Sequence, residues 1–308
     1  GRHTPFRTRT MPIEIAPVTP DFVARITGID LARPLSDADR QAIVSACDHY
    51  AVLVFPDQLL SKEALVAFGR SFGEVDTSLQ KKLLNHVQNR LGTDEVTDIS
   101  NVDAEGKVAA PDHWQTITTV GNRFWHSDGS YKHTPIRYSI LNAVTAVAHG
   151  GETQYADLRA AWDALDETTQ KLLSDKVGIF WSHNTRDQLK IPDTQAERSA
   201  FPKMRWPLVR RHPGSGRKVL WCDSKVCAIE GMPVPEGRAL AHELIEHIGQ
   251  RERVYSHKWQ PGDLVMYDNR ATVHRGRRFD HAERREMRRV ETVDDSCSLG
   301  PAERQDIV

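Results

Sequence analysis

Phe124-Trp125-His126-Ser127-Asp128-Gly129-Ser130-Tyr131 is the stretch around which the chain is organised. His126 and Asp128 stand two apart, so on an extended strand both side chains leave the same face. An imidazole and a carboxylate converging on one point supply two ligands of a 2-His-1-carboxylate iron site. Alone the pattern says little, since a chain with fourteen histidines holds about one H-x-D by chance. Its weight depends on a third ligand and on the company that ligand keeps.

That ligand is expected downstream. Pro261-Gly262-Asp263 reads as a turn, and the apolar run Leu264-Val265-Met266-Tyr267 leads to Asp268-Asn269-Arg270 and on to His274. A strand here brings His274 against the His126/Asp128 pair across a barrel mouth. A last strand pair is expected to hold His274 and the arginines that follow it. Arg285 and Arg289 share a face on such a strand, and paired guanidiniums suit a site that holds carboxylates in bidentate fashion.

Composition sets the outer limits. A chain of 308 residues is within reach of one elaborated β barrel. A net charge of −1 implies neither a nucleic-acid surface nor a polybasic membrane anchor. Cys47, Cys222, Cys227 and Cys297 form no C-x-x-C and no disulfide framework, which suits a reducing cytoplasm. No apolar run reaches transmembrane length. Residues 1–10 are polar, basic and carry Pro5. They read as a leader or remnant without a role in the fold, ahead of Met11 and one domain, 11–308.

Taken in order, Pro12 to Asp30 reads as two short strands. Ser36 and Ser61 cap two helices, the second ending at Gly73, with the buried strand Ala51–Phe55 between them. Thr77 to Glu95 is a helix or a lid. Strands are expected at Asp98–Val102 and Tyr138–Val147, and beyond Gly150-Gly151 at Gln154–Ala156. Leu158 to Leu173 is amphipathic, with Leu158, Trp162, Leu165 and Leu172 on one face. Ser182 to Arg205 is a polar, proline-containing second lid. A hairpin is expected around Pro213-Gly214-Ser215-Gly216, and a helix over Pro235–Gln250. Many strands with peripheral helices favour a mainly β jelly roll.

With these residues together, the chain resembles the Fe(II)/2-oxoglutarate-dependent dioxygenases of the taurine dioxygenase family, and within it the branch acting on 2,4-dichlorophenoxyacetate. The likeness rests on the H-x-D, the distal His274, an arginine eleven residues beyond it, and Gly150-Gly151-Glu152-Thr153. It extends through Asp98-Ile99-Ser100-Asn101-Val102, Asp157-Leu158-Arg159-Ala160-Ala161, Trp206-Pro207-Leu208-Val209-Arg210 and His274-Arg275-Gly276-Arg277-Arg278. The resemblance implies a double-stranded β-helix (jelly roll, cupin-like), with His126, Asp128 and His274 as Fe(II) ligands and two further positions for 2-oxoglutarate and one for O2.

By the same resemblance Thr153 and Arg285 clamp the distal carboxylate of 2-oxoglutarate, and Arg289 meets the substrate anion. Lys81 and Lys107 align with basic residues of the substrate region, and Asn122 is a further polar contact. His183 and His212 are better read as structural, and Trp259 as core packing. Two departures stand out. Gly129 replaces a serine of the phenoxyacetate branch, which is expected to widen the pocket. The His-x-x-Tyr pair of taurine enzymes is missing between Asp76 and Asn85, which favours a carboxylate substrate.

The implied reaction hydroxylates a small carboxylate while 2-oxoglutarate becomes succinate and CO2, with ascorbate supportive in vitro. Where the hydroxylated carbon lies between a carboxylate and an ether oxygen, the hemiacetal formed collapses to a phenol and glyoxylate. The alternatives are hydroxylation of another small carboxylate or sulfonate, and a metal-binding barrel without turnover. The expected partner is a small molecule, with no nucleic acid or membrane, and the chain is expected to form a cytoplasmic homo-oligomer.

Overall fold

The computed structural model describes residues 12–78, 90–132, 134–295 and 303–304. The expected leader (1–10) and most of the first lid, including Lys81, lie outside the described residues. A seven-stranded sheet joins β1 (Glu14–Pro17), β2 (Val23–Thr27), β3 (Val52–Phe55), β13 (Leu264–Asp268), β5 (Ile136–Thr145), β15 (Glu286–Val293) and β4 (Thr97–Ser100), in that order. A three-stranded sheet of β12 (Val254–His257), β6 (Thr153–Asp157) and β14 (Thr272–Gly276) faces it. The two form a double-stranded β-helix with helices around it.

Strand periodicity explains how the layers meet. Along β13, Leu264 and Met266 join one apolar cluster, while Val265 and Tyr267 join another. The first cluster lies under α1 (Asp37–Tyr50) and α2 (Lys62–Arg70), which contribute Ile43, Leu65 and Phe68. The second fills the space between the sheets with Tyr155, Trp259 and Met287. Fully burying each such side chain contributes about 1.5–3 kcal/mol. Ser36 and Ser61 accept from Asp39 N and Ala64 N, so both helix starts fall where their caps indicate. Helix α2 stops at Arg70, ahead of Gly73.

A third layer of β7 (Val177–Phe180), β8 (Met204–Pro207), β11 (Val226–Ile229) and β16 (Glu303–Arg304) supports the site from the side. The hairpin strands Val209–Arg211 and Lys218–Leu220 stand beside it, and the helix Val234–Ile248 closes a core around Trp206 and Leu244.

Three sequence expectations change. The amphipathic stretch is two helices, Leu158–Asp163 and Glu167–Leu173, because the Asp166 carboxylate caps a new start at Thr169 N. The break turns Leu172 outward and buries Leu173. Ser182 to Arg205 holds the helices His183–Leu189 and Gln195–Ala200, the latter with a Thr194/Glu197 capping box. Finally, β14 and β15 belong to different sheets, so His274 and Arg289 approach from opposite walls rather than along one strand pair.

Candidate active site

His126 lies in no extended strand. It forms an isolated bridge with His274, whose N–H and C=O exchange hydrogen bonds with those of His126 at 2.9 and 3.0 Å. This cross-strand pairing sets the ring centroids 4.2 Å apart. Asp128 follows in a bend, where its Oδ1 lies 3.8 Å from His126 Nε2 and 3.6 Å from His274 Nε2. Ligand atoms of the three residues all fall within 4.8 Å of one another. The convergence expected of H-x-D is therefore present, produced by a turn and a bridge instead of strand alternation.

His126 and Asp128 are each aimed by a neighbour. His126 Nδ1 donates to Phe124 O at 2.8 Å, which leaves Nε2 with its lone pair toward the site. Asp128 Oδ2 accepts from Ser139 Oγ at 2.7 Å and from Tyr267 Oη at 3.0 Å. Asn269 Nδ2 donates to Ser139 Oγ, and Asn269 Oδ1 accepts from Asp128 N. One carboxylate oxygen is thereby committed to the protein while the other faces the imidazoles. Burial, then the neighbouring His274, pushes His126 down to about 3. For Asp128 burial works the other way, but the Arg289 guanidinium, helped by the Ser139 hydrogen bond, holds it well below the usual carboxylate range. Two neutral imidazoles and an ionised carboxylate are the donor set a divalent cation requires.

Gly129 has a packing reason. A Cβ there would stand 2.9 Å from Ile136 N and 3.2 Å from Ile136 O. The position sits against backbone and lines neither of the cavities beside the ligands, so it does not widen the pocket. The Gly150-Gly151 step is likewise physical, with φ of +72° and +69°, and the carbonyl of Gly151 accepts from Arg285 Nη2 at 3.1 Å.

Two cavities flank the three ligands. The first, of about 110 Å3, is lined by Thr153, Leu141, Tyr267, Arg285 and both histidines. Among the described residues no carboxylate pairs with Arg285, and burial pushes its guanidinium down to about 10. Glu286, its sequence neighbour, is engaged by Arg90 and Arg284. Thr153 Oγ1 accepts from Trp259 Nε1 at 2.9 Å, which leaves its own proton to donate. Trp259 is thus core packing, as expected, and also touches Thr153.

The second cavity, of about 440 Å3, is lined by Asp128, His126, Tyr131, Trp114, Lys225 and Arg289. Arg289 is engaged here: Nη1 donates to Asp128 Oδ1 at 3.1 Å and Nη2 lies 3.4 Å from Glu291 Oε1. Burial opposes its charge, yet these carboxylates hold it above the ordinary value. Asn122 lines both cavities. Lys107 is exposed in the Asp103–Lys107 turn and lines neither. His183 pairs with Asp193 and His212 with Asp268, both as structural contacts.

Sequence reasoning missed Ser139, Asn269, Tyr267 and Lys225 as site residues. Tyr267 and Asn269 belong to the stretch that predicts His274, and their polarity at the end of an apolar run was the available signal. Lys225 carried none. It arrives from the loop before β11, its Nζ 3.4 Å from Ser182 O and Thr185 Oγ1 and over the Tyr131 ring, with no carboxylate at ion-pair distance among the described residues.

The profile of the family described as "Taurine catabolism dioxygenase TauD, TfdA family" matches residues 14–290. The chain belongs to the TauD/TfdA family. An alpha-ketoglutarate-dependent 2,4-dichlorophenoxyacetate dioxygenase from Cupriavidus pinatubonensis is 42% identical over 287 residues, covering 93% of this chain and 99% of the relative. An (S)-phenoxypropionate/alpha-ketoglutarate-dioxygenase from Delftia acidovorans is 33% identical over 284 residues, covering 87% and 90%. The crystal structure of AAD-2 in complex with Mn(II) and N-oxalylglycine superposes with a TM-score of 0.85 at 38% identity, covering 96% of this chain and all of that one.

Proposed function

We propose that this chain is an Fe(II)- and 2-oxoglutarate-dependent dioxygenase acting on a small aryloxyalkanoate of the 2,4-dichlorophenoxyacetate kind. One observation carries the reading: beside three converging ligands, a largely desolvated guanidinium, Arg285, is left without a counter-charge among the described residues. A buried cation in that state is costly unless an anion joins it, and a pure metal binder has no use for it. His126, Asp128 and His274 hold the iron; Arg285 and Thr153 hold the far carboxylate of 2-oxoglutarate.

Bound iron with 2-oxoglutarate and O2 supplies the oxidising equivalent, yielding succinate and CO2 as the substrate is hydroxylated. The protein's own groups bind and orient. Thr153 and Arg285 fix the co-substrate's distal end, Asp128 is kept ionised, and Arg289, Asn122 and Lys225 present positive and polar groups to the substrate carboxylate. Lys81 remains part of the proposed substrate region, and Lys107, exposed in its turn, acts only by long-range attraction. Holding the substrate by its carboxylate directs hydroxylation to the adjacent ether carbon, and the hemiacetal then collapses to a phenol and glyoxylate.

The proposal extends to one dioxygenase domain over residues 11–308, working as a cytoplasmic homo-oligomer; light scattering tests the assembly. No helix of the described residues is long and apolar enough to cross a membrane. The test of function is succinate and phenol release from aryloxyacetates, aryloxypropionates and taurine, with Fe(II), ascorbate and 2-oxoglutarate supplied. Aryloxyalkanoates are expected to lead. Succinate release that follows taurine better than every aryloxyalkanoate would overturn the substrate reading.

A further inference from the structure

Behind the two histidines lies a third cavity, of about 260 Å3, that the proposed reaction does not use. Its apolar wall is Phe124, Trp125, Val226, Ala241 and Ile245. Trp125 precedes His126 and Arg275 follows His274, so the cavity lies on the outer side of the bridge whose inner side carries the ligands. Among the described residues only Arg123 lines both this cavity and the first.

The polar lining has one sign. Arg123, Arg238 and Arg275 border the cavity together with His242, and no Asp or Glu lines it among the described residues. Each arginine is held by a neutral acceptor. Arg123 Nη2 donates to His281 Nε2 at 3.2 Å, Arg238 Nε to Cys227 O at 2.9 Å, and Arg275 Nε to Gln154 Oε1 at 2.9 Å. These bonds fix the guanidiniums without neutralising them. Arg275 Cζ also lies 4.3 Å from the centroid of the Trp125 ring, so the charge is stacked against an aromatic wall.

Three cations without a carboxylate partner among the described residues, around an apolar floor, match a ligand that is planar and apolar on one side and anionic on the other. We infer that this cavity is a second binding site, taking a single-ring aromatic carboxylate or sulfonate whose ring packs on Trp125 and Ile245 while its anion meets Arg238 and Arg275. The volume accommodates one ring with its acid group. The site stands apart from the proposed catalytic cavities in every lining residue but Arg123, so it does not depend on the assignment of the substrate.

The test uses the full chain loaded with diamagnetic Zn(II) and N-oxalylglycine, titrated with benzoate and with benzenesulfonate while the tryptophan indole N–H signals are followed by NMR. The resonance absent from the Trp125→Phe variant marks this cavity, and that of Trp114 marks the second one. The Trp125 signal is expected to shift saturably, at one ligand per chain. Arg238→Glu combined with Gln188→Glu changes two exposed residues of the rim; it is expected to weaken this binding at least tenfold and leave succinate release unchanged. A Trp125 signal that does not move, a shift confined to Trp114, or an unchanged affinity in the double variant would overturn the inference.

Discussion

The two cavities beside His126 are built from similar residues and treat their cations in opposite ways. In the first, Arg285 is desolvated and meets only neutral acceptors among the described residues, Gly151 O foremost. In the second, Arg289 is tied to Asp128 and within reach of Glu291. The two arginines are four residues apart, yet one has no carboxylate partner among the described residues and the other helps keep the Asp128 carboxylate ionised. A buried cation without a partner weakens the unliganded protein and strengthens its grip on an anion. A buried cation with partners does the reverse, since removing it takes the guanidinium from Asp128, while Glu291 keeps Lys132.

The largest effect breaks both cavities at once. Asp128→Ala or His274→Ala is expected to lower Fe(II) affinity by well over the roughly 100-fold that changes in outer-shell partners reach, and to abolish succinate release. Metal titration of the folded variants checks this, and full activity at stoichiometric iron would remove the ligand assignment.

The arginines come next and test the contrast directly. Arg285→Ala is expected to raise the KM for 2-oxoglutarate by tens- to thousands-fold, corresponding to the roughly 2–5 kcal/mol of a lost buried charged contact. Arg285→Gln should leave the Tm of the unliganded protein unchanged or raised. Arg289→Gln should destabilise it by about 3–5 kcal/mol, because the buried Asp128 carboxylate loses its guanidinium partner, Glu291 being still held by Lys132. Denaturant melts of the two variants side by side decide the matter, and equal losses of stability would erase the distinction drawn between the cavities.

Much of this was open to sequence reasoning, but not always for the right physical reason. His126 and Asp128 converge although no strand alternation places them, since a bridge and a bend achieve the same end. Caps at Ser36 and Ser61 are local signals and hold locally. The break at Asp166 is local too, but the apolar period running across it masks the new cap. Lys225 and Ser139 reach the site through tertiary packing alone, which no spacing along the chain encodes. Gly129 was misread because an absent side chain suggests space, whereas the Ile136 backbone already occupies it. Gly129→Ser is accordingly expected to cost about 1–3 kcal/mol of stability by overpacking, measured by denaturant unfolding; a neutral result would restore the wider-pocket reading.

Tyr267→Phe sharpens the comparison on the metal side. It removes one of two side-chain donors to Asp128 Oδ2 and leaves Ser139 in place. Fe(II) affinity is expected to fall about tenfold, the lower end for outer-shell partners, with the KM for 2-oxoglutarate little changed. A variant that loses 2-oxoglutarate affinity instead would place Tyr267 in the co-substrate cavity's work rather than the ligand's.

The smallest effect is a pH dependence carried by Lys225. Burial first, with Arg186 adding to it and Asp223 and Asp128 opposing it, brings its ammonium down to about 8. A lysine with a lowered value is charged below that pH and neutral above it, and only the charged form attracts a substrate carboxylate. The kcat/KM for an aryloxyacetate should therefore decline several-fold as pH rises through about 8, because that ratio reports ionisations of the free enzyme. Lys225→Arg keeps its charge throughout and should flatten the decline. Lys225→Met should flatten it as well, at a lower kcat/KM near neutrality. The KM for 2-oxoglutarate should not follow this profile, since Arg285 stays charged across the same range. A parent enzyme without the decline, or a decline that persists in Lys225→Arg, would remove Lys225 from the substrate wall and leave Arg289 and Asn122 as its polar contacts.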